Sequence, residues 1–177
     1  MADGGLTARL ARWRVPIGYA LAIVVFWLAD PTPLSLAIGG VIAAAGEELR
    51  IWAAGHLEKG GEVTTSGPYA FTRHPLYVGS SVMGAGFAVA SASVAVAVIV
   101  AVYLVTTVTA AIRSEEAHLT DKFGERYPAY RQGAGPSEPR EFSFSRAMRN
   151  REYRALAGVL LTFALLAAKL YFGRARG

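Results

Sequence analysis

Apolar residues in this chain fall into five runs, at 15–29, 34–54, 76–90, 94–112 and 155–172, and polar residues collect between them. Runs of this length outlast ordinary strands and predict helices. A helix that crosses the hydrocarbon of a bilayer needs about 20 apolar residues. The fourth and fifth runs approach that unaided, while the others must draw on their flanks. Trp13 and Arg14 extend the first at the interface, where an indole ring and a snorkelling guanidinium are comfortable. Asp30-Pro31-Thr32-Pro33 cannot continue a helix, and Ser91-Ala92-Ser93 is a short polar corner that offers Ser93 as an N-cap. The pattern predicts an all-α fold: one integral membrane domain over residues 1–177, a helical bundle with about five transmembrane helices.

Lysine and arginine are retained on the cytoplasmic side of membrane helices. With the N-terminus inside, fifteen of the eighteen basic residues fall on the inner side, and only Lys169, Arg174 and Arg176 on the outer. A cytoplasmic N-terminus follows, in a protein expected in a prokaryotic inner membrane. The polar stretches 55–75 and 113–154 then face the cytoplasm, where a soluble cosubstrate meets them. A cleaved signal peptide is the alternative for the first run, but Trp27-Leu28-Ala29-Asp30-Pro31 is a poor cleavage site.

Composition supports this picture. The chain is 53% hydrophobic, with a mean hydropathy of +0.33. Its formal charge of +5 suits lipid headgroups better than nucleic acid, because the basic residues sit beside apolar segments and not on an aromatic-interleaved face. The absence of cysteine excludes disulfides, thiolate metal sites and a cysteine nucleophile. His56, His74 and His118 lack metal-ligand spacing, and no metal is expected.

Three places depart from a plain membrane bundle. Glu47, Glu48 and Arg50 arrive before the second run ends at Trp52-Ala53-Ala54, and ionisable groups at that depth face a protein interior or a wet cavity. Glu47 and Arg50, three apart, share a helix face and can pair there, as a structural ion pair or as lining of a site. Next comes the stretch from Thr64 through Ser66-Gly67-Pro68-Tyr69 to Arg73-His74-Pro75-Leu76-Tyr77-Val78-Gly79. Gly67-Pro68 makes a turn, and Pro75 suits the first position of the third helix, so His74 stands at the mouth of that helix with Tyr77 on the same face. Finally, Arg113-Ser114-Glu115-Glu116 follows the fourth run and leads through Leu119, Lys122 and Gly124 to Tyr127 and Tyr130. This reads either as a solvated charged helix end held by ion pairs or, by virtue of the tyrosine pair, as an amphipathic stretch that docks back over the His74 loop as a lid. Gly84-Ala85-Gly86 lies inside an apolar helix and follows no strand, so it reads as helix packing through small residues.

The ordered pair of polar motifs, Ser66-Gly67-Pro68-Tyr69 to Val78-Gly79 and then Glu115-Glu116 to Tyr130, resembles the isoprenylcysteine carboxyl methyltransferase and phospholipid methyltransferase family. The resemblance spans residues 46–131 and leaves the charged segment and fifth helix, within 132–177, unexplained. It implies a small helical membrane bundle with a cytosolic pocket for S-adenosylmethionine. Matched residue by residue, the cofactor contacts are His56, Glu62, Val63, Thr64, Tyr69, His74, Pro75, Leu76 and Tyr77, with Glu115 closing on the polar end. The prenyl-protein members carry a substrate arginine one turn before the first glutamate, where this chain has Ala111; Arg113 is the nearest substitute.

The expected activity is methyl transfer from S-adenosylmethionine to a lipid-like or isoprenoid acceptor, which enters from the bilayer by its apolar tail. An amine acceptor must give up a proton, to Glu116, Glu47 or His56. A carboxylate or phosphate acceptor needs no base and is oriented by Arg113 or Arg50. Two other readings compete: a sterol-reductase-like membrane enzyme using a nicotinamide cofactor, and a non-catalytic membrane scaffold.

Overall fold

The structure, a computed structural model, describes residues 20–58, 64–123 and 140–174, except for the side chains of His118, Phe123 and Arg174. Every regular element among the described residues is helical. α1 covers 20–28, the visible part of the first apolar run. α2 is Pro33–His56, a single 3-10 turn covers Gly67–Ala70, α3 is Pro75–Ala90 and α4 is Val94–Phe123. The short α5, Phe144–Arg149, leads into α6, Tyr153–Arg174. Residues 15–19 of the first run and the chain start that sets its orientation lie outside the described residues.

Each boundary has a local cause. Thr32 Oγ1 accepts from the Ser35 amide and Ser35 Oγ from the Thr32 amide, a reciprocal cap that starts α2 with Pro33 in its first turn. The Ser93 hydroxyl accepts from Val96 N at 3.4 Å at the start of α4. α4 is 30 residues long, or about 45 Å. That exceeds the roughly 30 Å of bilayer hydrocarbon. The helix therefore continues unbroken from its apolar part through Glu115 and Glu116 to Phe123.

The antiparallel pair α2–α3 is the centre of the molecule, and its backbones approach where small residues meet. A Cβ on Gly86 would lie 2.6 Å from Ala43 N and 2.7 Å from Gly39 O. One on Gly46 would lie 2.7 Å from both Gly79 O and Met83 N. These obstacles are backbone atoms, which cannot swing aside. Gly84 instead admits Leu104 of α4, and Gly40 faces Phe163 of α6.

The ends of the bundle are tied by polar contacts. At one end, Asp30 N donates to Ser91 O at 2.8 Å and Ser35 Oγ to Ala90 O at 3.1 Å. There the Lys169 ammonium of α6 donates to the carbonyls of Phe26, Trp27 and Ala29 at 2.7, 2.8 and 2.6 Å. A lysine at a helix C-terminus satisfies carbonyls that have no intrahelical partner and complements the helix dipole. At the other end the segment around α5 does the same for α2. Asn150 Nδ2 donates to Ala54 O and Leu57 O, both at 2.8 Å. Arg146 reaches Gly55 O and Arg140 reaches His56 O.

Among the described residues two helices are long and apolar enough to cross a membrane, α4 over Val94–Lys122 and α6 over Tyr153–Gly173, and the apolar α3 is shorter. Their apolar windows are 6% and 11% buried. They are not wrapped by protein as a soluble core helix would be, and Val98, Val102, Leu160 and Leu161 point outward.

The α2–α3 contact predicts a contrast. Gly86→Ala should cost about 1–3 kcal/mol by forcing the backbones apart. Gly158→Ala, with nothing within 4 Å of the new methyl, should be neutral or stabilise by up to about 1 kcal/mol. Thermal unfolding in detergent checks both, and equal effects would contradict the packing.

Candidate functional site

Pro75 occupies the first turn of α3 and His74 is its N-cap residue, but the imidazole makes no capping hydrogen bond. The side chain turns instead to the polar extension of α4. His74 Nε2 lies 3.2 Å from Glu116 Oε1 and Nδ1 lies 4.0 Å from Glu115 Oε2. Arg73 approaches Glu116 at 3.9 Å. The Tyr77 ring, one turn into α3, stands 5.9 Å from the imidazole, centroid to centroid. His74 is largely covered, while Glu115 keeps 42% of its side chain exposed. The two polar motifs, some forty residues apart in sequence, thus meet in one cluster at the solvent-facing edge of the bundle.

A second cluster lies one layer deeper, centred on Arg50. Its Nε donates to Glu152 Oε1 at 2.6 Å, and NH1 donates to Ser80 Oγ at 2.5 Å and Leu76 O at 3.3 Å. Leu76 sits in the first turn of α3, so Arg50 braces the helix end that carries His74. The Glu47–Arg50 pair read from the sequence is present only at 4.0 Å. The near partner is Glu152, supplied by the C-terminal segment 102 residues away. Glu47 is buried, and neither of its carboxylate oxygens has a hydrogen-bond partner among the described residues. Ser80 also lines an apolar cavity of about 390 Å³ between α1, α3, α4 and α6.

The third group surrounds His56 at the end of α2. Its Nδ1 is hydrogen-bonded to Ser66 Oγ at 3.2 Å, and Phe142 lies 6.2 Å from the ring. Gly67 adopts φ +59° with its Cα against this ring, where a Cβ would come within 2.6 Å; position 67 needs glycine on both counts. Thr64, Tyr69 and Pro75 are buried close by in sequence, with Thr64 Oγ1 accepting from Glu58 N at 3.4 Å.

Of the residues predicted from sequence, the structure brings His74, Tyr77, Glu115 and Glu116 together. Glu47 and Arg50 belong to the deeper cluster and His56 to the loop wall. Arg113 is exposed on α4 and pairs with no acid among the described residues. Glu62, Val63, Gly124, Tyr127 and Tyr130, and with them the lid, lie outside the described residues. Sequence reasoning missed Glu152, Arg146 and Asn150, whose only signal was the unexplained charge between α4 and α6.

The first cluster's donor set is two carboxylates, an imidazole and a phenol. With the Arg73 guanidinium against Glu116, the set keeps an acidic and aromatic surface that suits positive charge, and Glu115 reaches solvent. The third group titrates. Burial, and then the Arg146 charge, push the His56 imidazole below its ordinary value of 6.5. The folded state therefore favours neutral His56. Its contribution to stability is fully present above about pH 6.5 and is lost as pH falls through the depressed value. Thermal stability should accordingly drop on acidification from pH 7.5 to 5, and His56→Gln should flatten that drop. An identical pH profile in the variant would contradict the assignment.

A profile of the phospholipid methyltransferase family matches residues 13–126. The chain is similar, at 31% identity over 127 residues, to the cobalt-zinc-cadmium resistance protein CzcN of Cupriavidus metallidurans, with 66% of this chain and 57% of that protein covered. It is also 31% identical over 140 residues to the nickel-cobalt-cadmium resistance protein NccN of Alcaligenes xylosoxydans xylosoxydans, covering 69% and 63%. The chain spans about three fifths of the length of these curated relatives. No solved structure matches it significantly. The profile runs across α1 to α4 and takes in all five residues of the His74 cluster, and on that ground the chain belongs to the phospholipid methyltransferase family.

Proposed function

We propose that this protein is an integral membrane methyltransferase that moves a methyl group from S-adenosylmethionine to a lipid-like or isoprenoid acceptor at the cytoplasmic face. The observation that carries the reading is the contact of His74 with both Glu115 and Glu116. Family membership, the outward-facing apolar helices and the apolar cavity support it. In this reading α1, α2 and α3 cross the bilayer together with α4 and α6, the N-terminus is cytoplasmic, and the His74 cluster faces the cytosol.

Bound S-adenosylmethionine would supply an activated methyl group for in-line transfer to the acceptor, with the sulfur as leaving group keeping the electron pair. The protein's share is alignment and exclusion of water. Tyr77 and His74 present electron-rich faces to positive charge, and Glu115 takes the ammonium end. Tyr69 and Pro75, with Thr64, wall the pocket, and Glu62 and Val63 belong to the same contact run by resemblance. Glu116 Oε1, already within hydrogen-bond distance of His74, is the group placed to receive a proton from an amine acceptor. Glu47, 4.0 Å from Arg50 in the deeper cluster, and His56, bonded to Ser66, are the alternative acceptors of that proton. Arg50, and Arg113 on the exposed side of α4, remain to orient an anionic headgroup. Among the described residues no three His, Cys, Asp or Glu side chains group as metal ligands.

Calorimetry on purified protein tests this. S-Adenosylhomocysteine should bind, and His74→Ala or Glu115→Ala should weaken binding by about tenfold or more, as expected for loss of a charge-assisted contact. Unchanged affinity in both variants would contradict the site.

A further inference from the structure

The cavity of about 390 Å³ lies between α1, α3, α4 and α6. Its walls are side chains such as Val25, Met83, Phe87, Val100 and Leu166. Hydroxyls are present, but three of them donate to carbonyls a turn back in the chain. Ser80 Oγ donates to Leu76 O at 2.9 Å, Ser91 Oγ to Ala88 O at 2.7 Å, and Thr162 Oγ1 to Gly158 O at 2.8 Å. Their hydrogens are therefore spent, and the surface they show is fit for hydrocarbon. An apolar void of this size forfeits packing unless something fills it.

Its two ends differ. One end is Ser91, almost fully buried at the corner between α3 and α4. The other is Ser80, which holds the Arg50 guanidinium, and Arg50 in turn reaches Leu76 O, two residues after His74. From Ser80 to Ser91 is eleven residues of α3, or about 16 Å. A volume near 390 Å³ is at the small end of the roughly 300–1,000 Å³ typical of ligand pockets. It suits one chain better than two. Phe26 and Leu165, 39% and 46% exposed, line the side open to the surroundings.

We propose that this cavity holds a single hydrocarbon chain of the methyl acceptor, with its headgroup at Arg50 beside the His74 cluster, and that α6 sets the chain length accepted. The proposal rests on the methyltransferase reading for the identity of the chain's owner. It goes beyond that reading because Thr162, Leu165 and Leu166 lie past residue 126, where the family match ends. In this view the C-terminal helix, beyond the family match, gauges the acceptor while α2, α3 and α4 carry the polar cluster.

The test uses the full chain in detergent micelles, with fatty acids from octanoate to eicosanoate displacing a fluorescent fatty acid. In the unsubstituted protein, affinity should climb with chain length and level off once the cavity is filled. Thr162→Phe should weaken the long chains by about tenfold or more and spare the shortest. Leu166→Ala should move the levelling point to longer chains, and carries the test if Thr162→Phe loses its helical circular dichroism. Curves that coincide in all three proteins would overturn the proposal. A second arm supplies radiolabelled S-adenosylmethionine and a whole lipid extract. A shift of label toward shorter-chain products in Thr162→Phe supports the acceptor as occupant. An unshifted product profile, despite altered fatty acid binding, would make the occupant a bilayer lipid and overturn the gauge. Failure of the unsubstituted protein to bind S-adenosylhomocysteine would sink the methyltransferase reading and leave the chain-binding result standing.

Discussion

Two helical backbones pressed together without side chains between them set the geometry of everything else in this protein. Where Gly39, Ala43 and Gly46 of α2 meet Gly79 and Gly86 of α3, the separation leaves no room for an added Cβ. In a bilayer, where lipid tails are as apolar as leucine, such close approach gains van der Waals contact that larger residues cannot supply. Continued one turn further along α2, the same seam puts Arg50 against Leu76 O and Ser80. The position of His74 at the mouth of α3 is thereby fixed from below.

The C-terminal third of the chain completes what the seam begins. Glu152 neutralises Arg50, and Asn150, Arg140 and Arg146 occupy the carbonyls left open at the end of α2. At the opposite end Lys169 does the same for α1. In hydrocarbon an unsatisfied carbonyl has no water to turn to, so these caps matter more than they would on a soluble surface. α6 is thus fastened at both ends, which is what a helix needs if it is to form a wall of fixed position beside an apolar cavity.

Much of this was legible in the residues. Pro75 announces a helix start, and the helix does start there with His74 outside its first turn. Glu115 and Glu116 are separated from His74 by two successive apolar runs, which bring the chain back to the end of the bundle it left, and the two motifs do touch. Small residues in Gly84-Ala85-Gly86 signalled helix packing, and that is where α2 and α4 approach. What sequence could not supply was long-range pairing of charge. Glu47 was the natural local partner for Arg50 by helical spacing, yet Glu152, far along the chain, takes the short contact. Lys169 counted as one of three outer basic residues, and periodicity gives no hint that it caps a helix some 140 residues earlier. The apolar cavity was invisible for a related reason: its walls come from four helices, and no local pattern records a space between them.

In the proposed reading, the motif at the start of α3 and the polar end of α4 form one site at the cytoplasmic surface. The absence of native cysteine gives a clean background for testing it. Cysteines introduced together at His74 and Glu116 should be joined within one chain by a short, membrane-impermeant bifunctional thiol reagent applied to inside-out membrane vesicles. If the two cysteines react only from opposite faces, or each reacts singly without ever being bridged, the site described here does not exist.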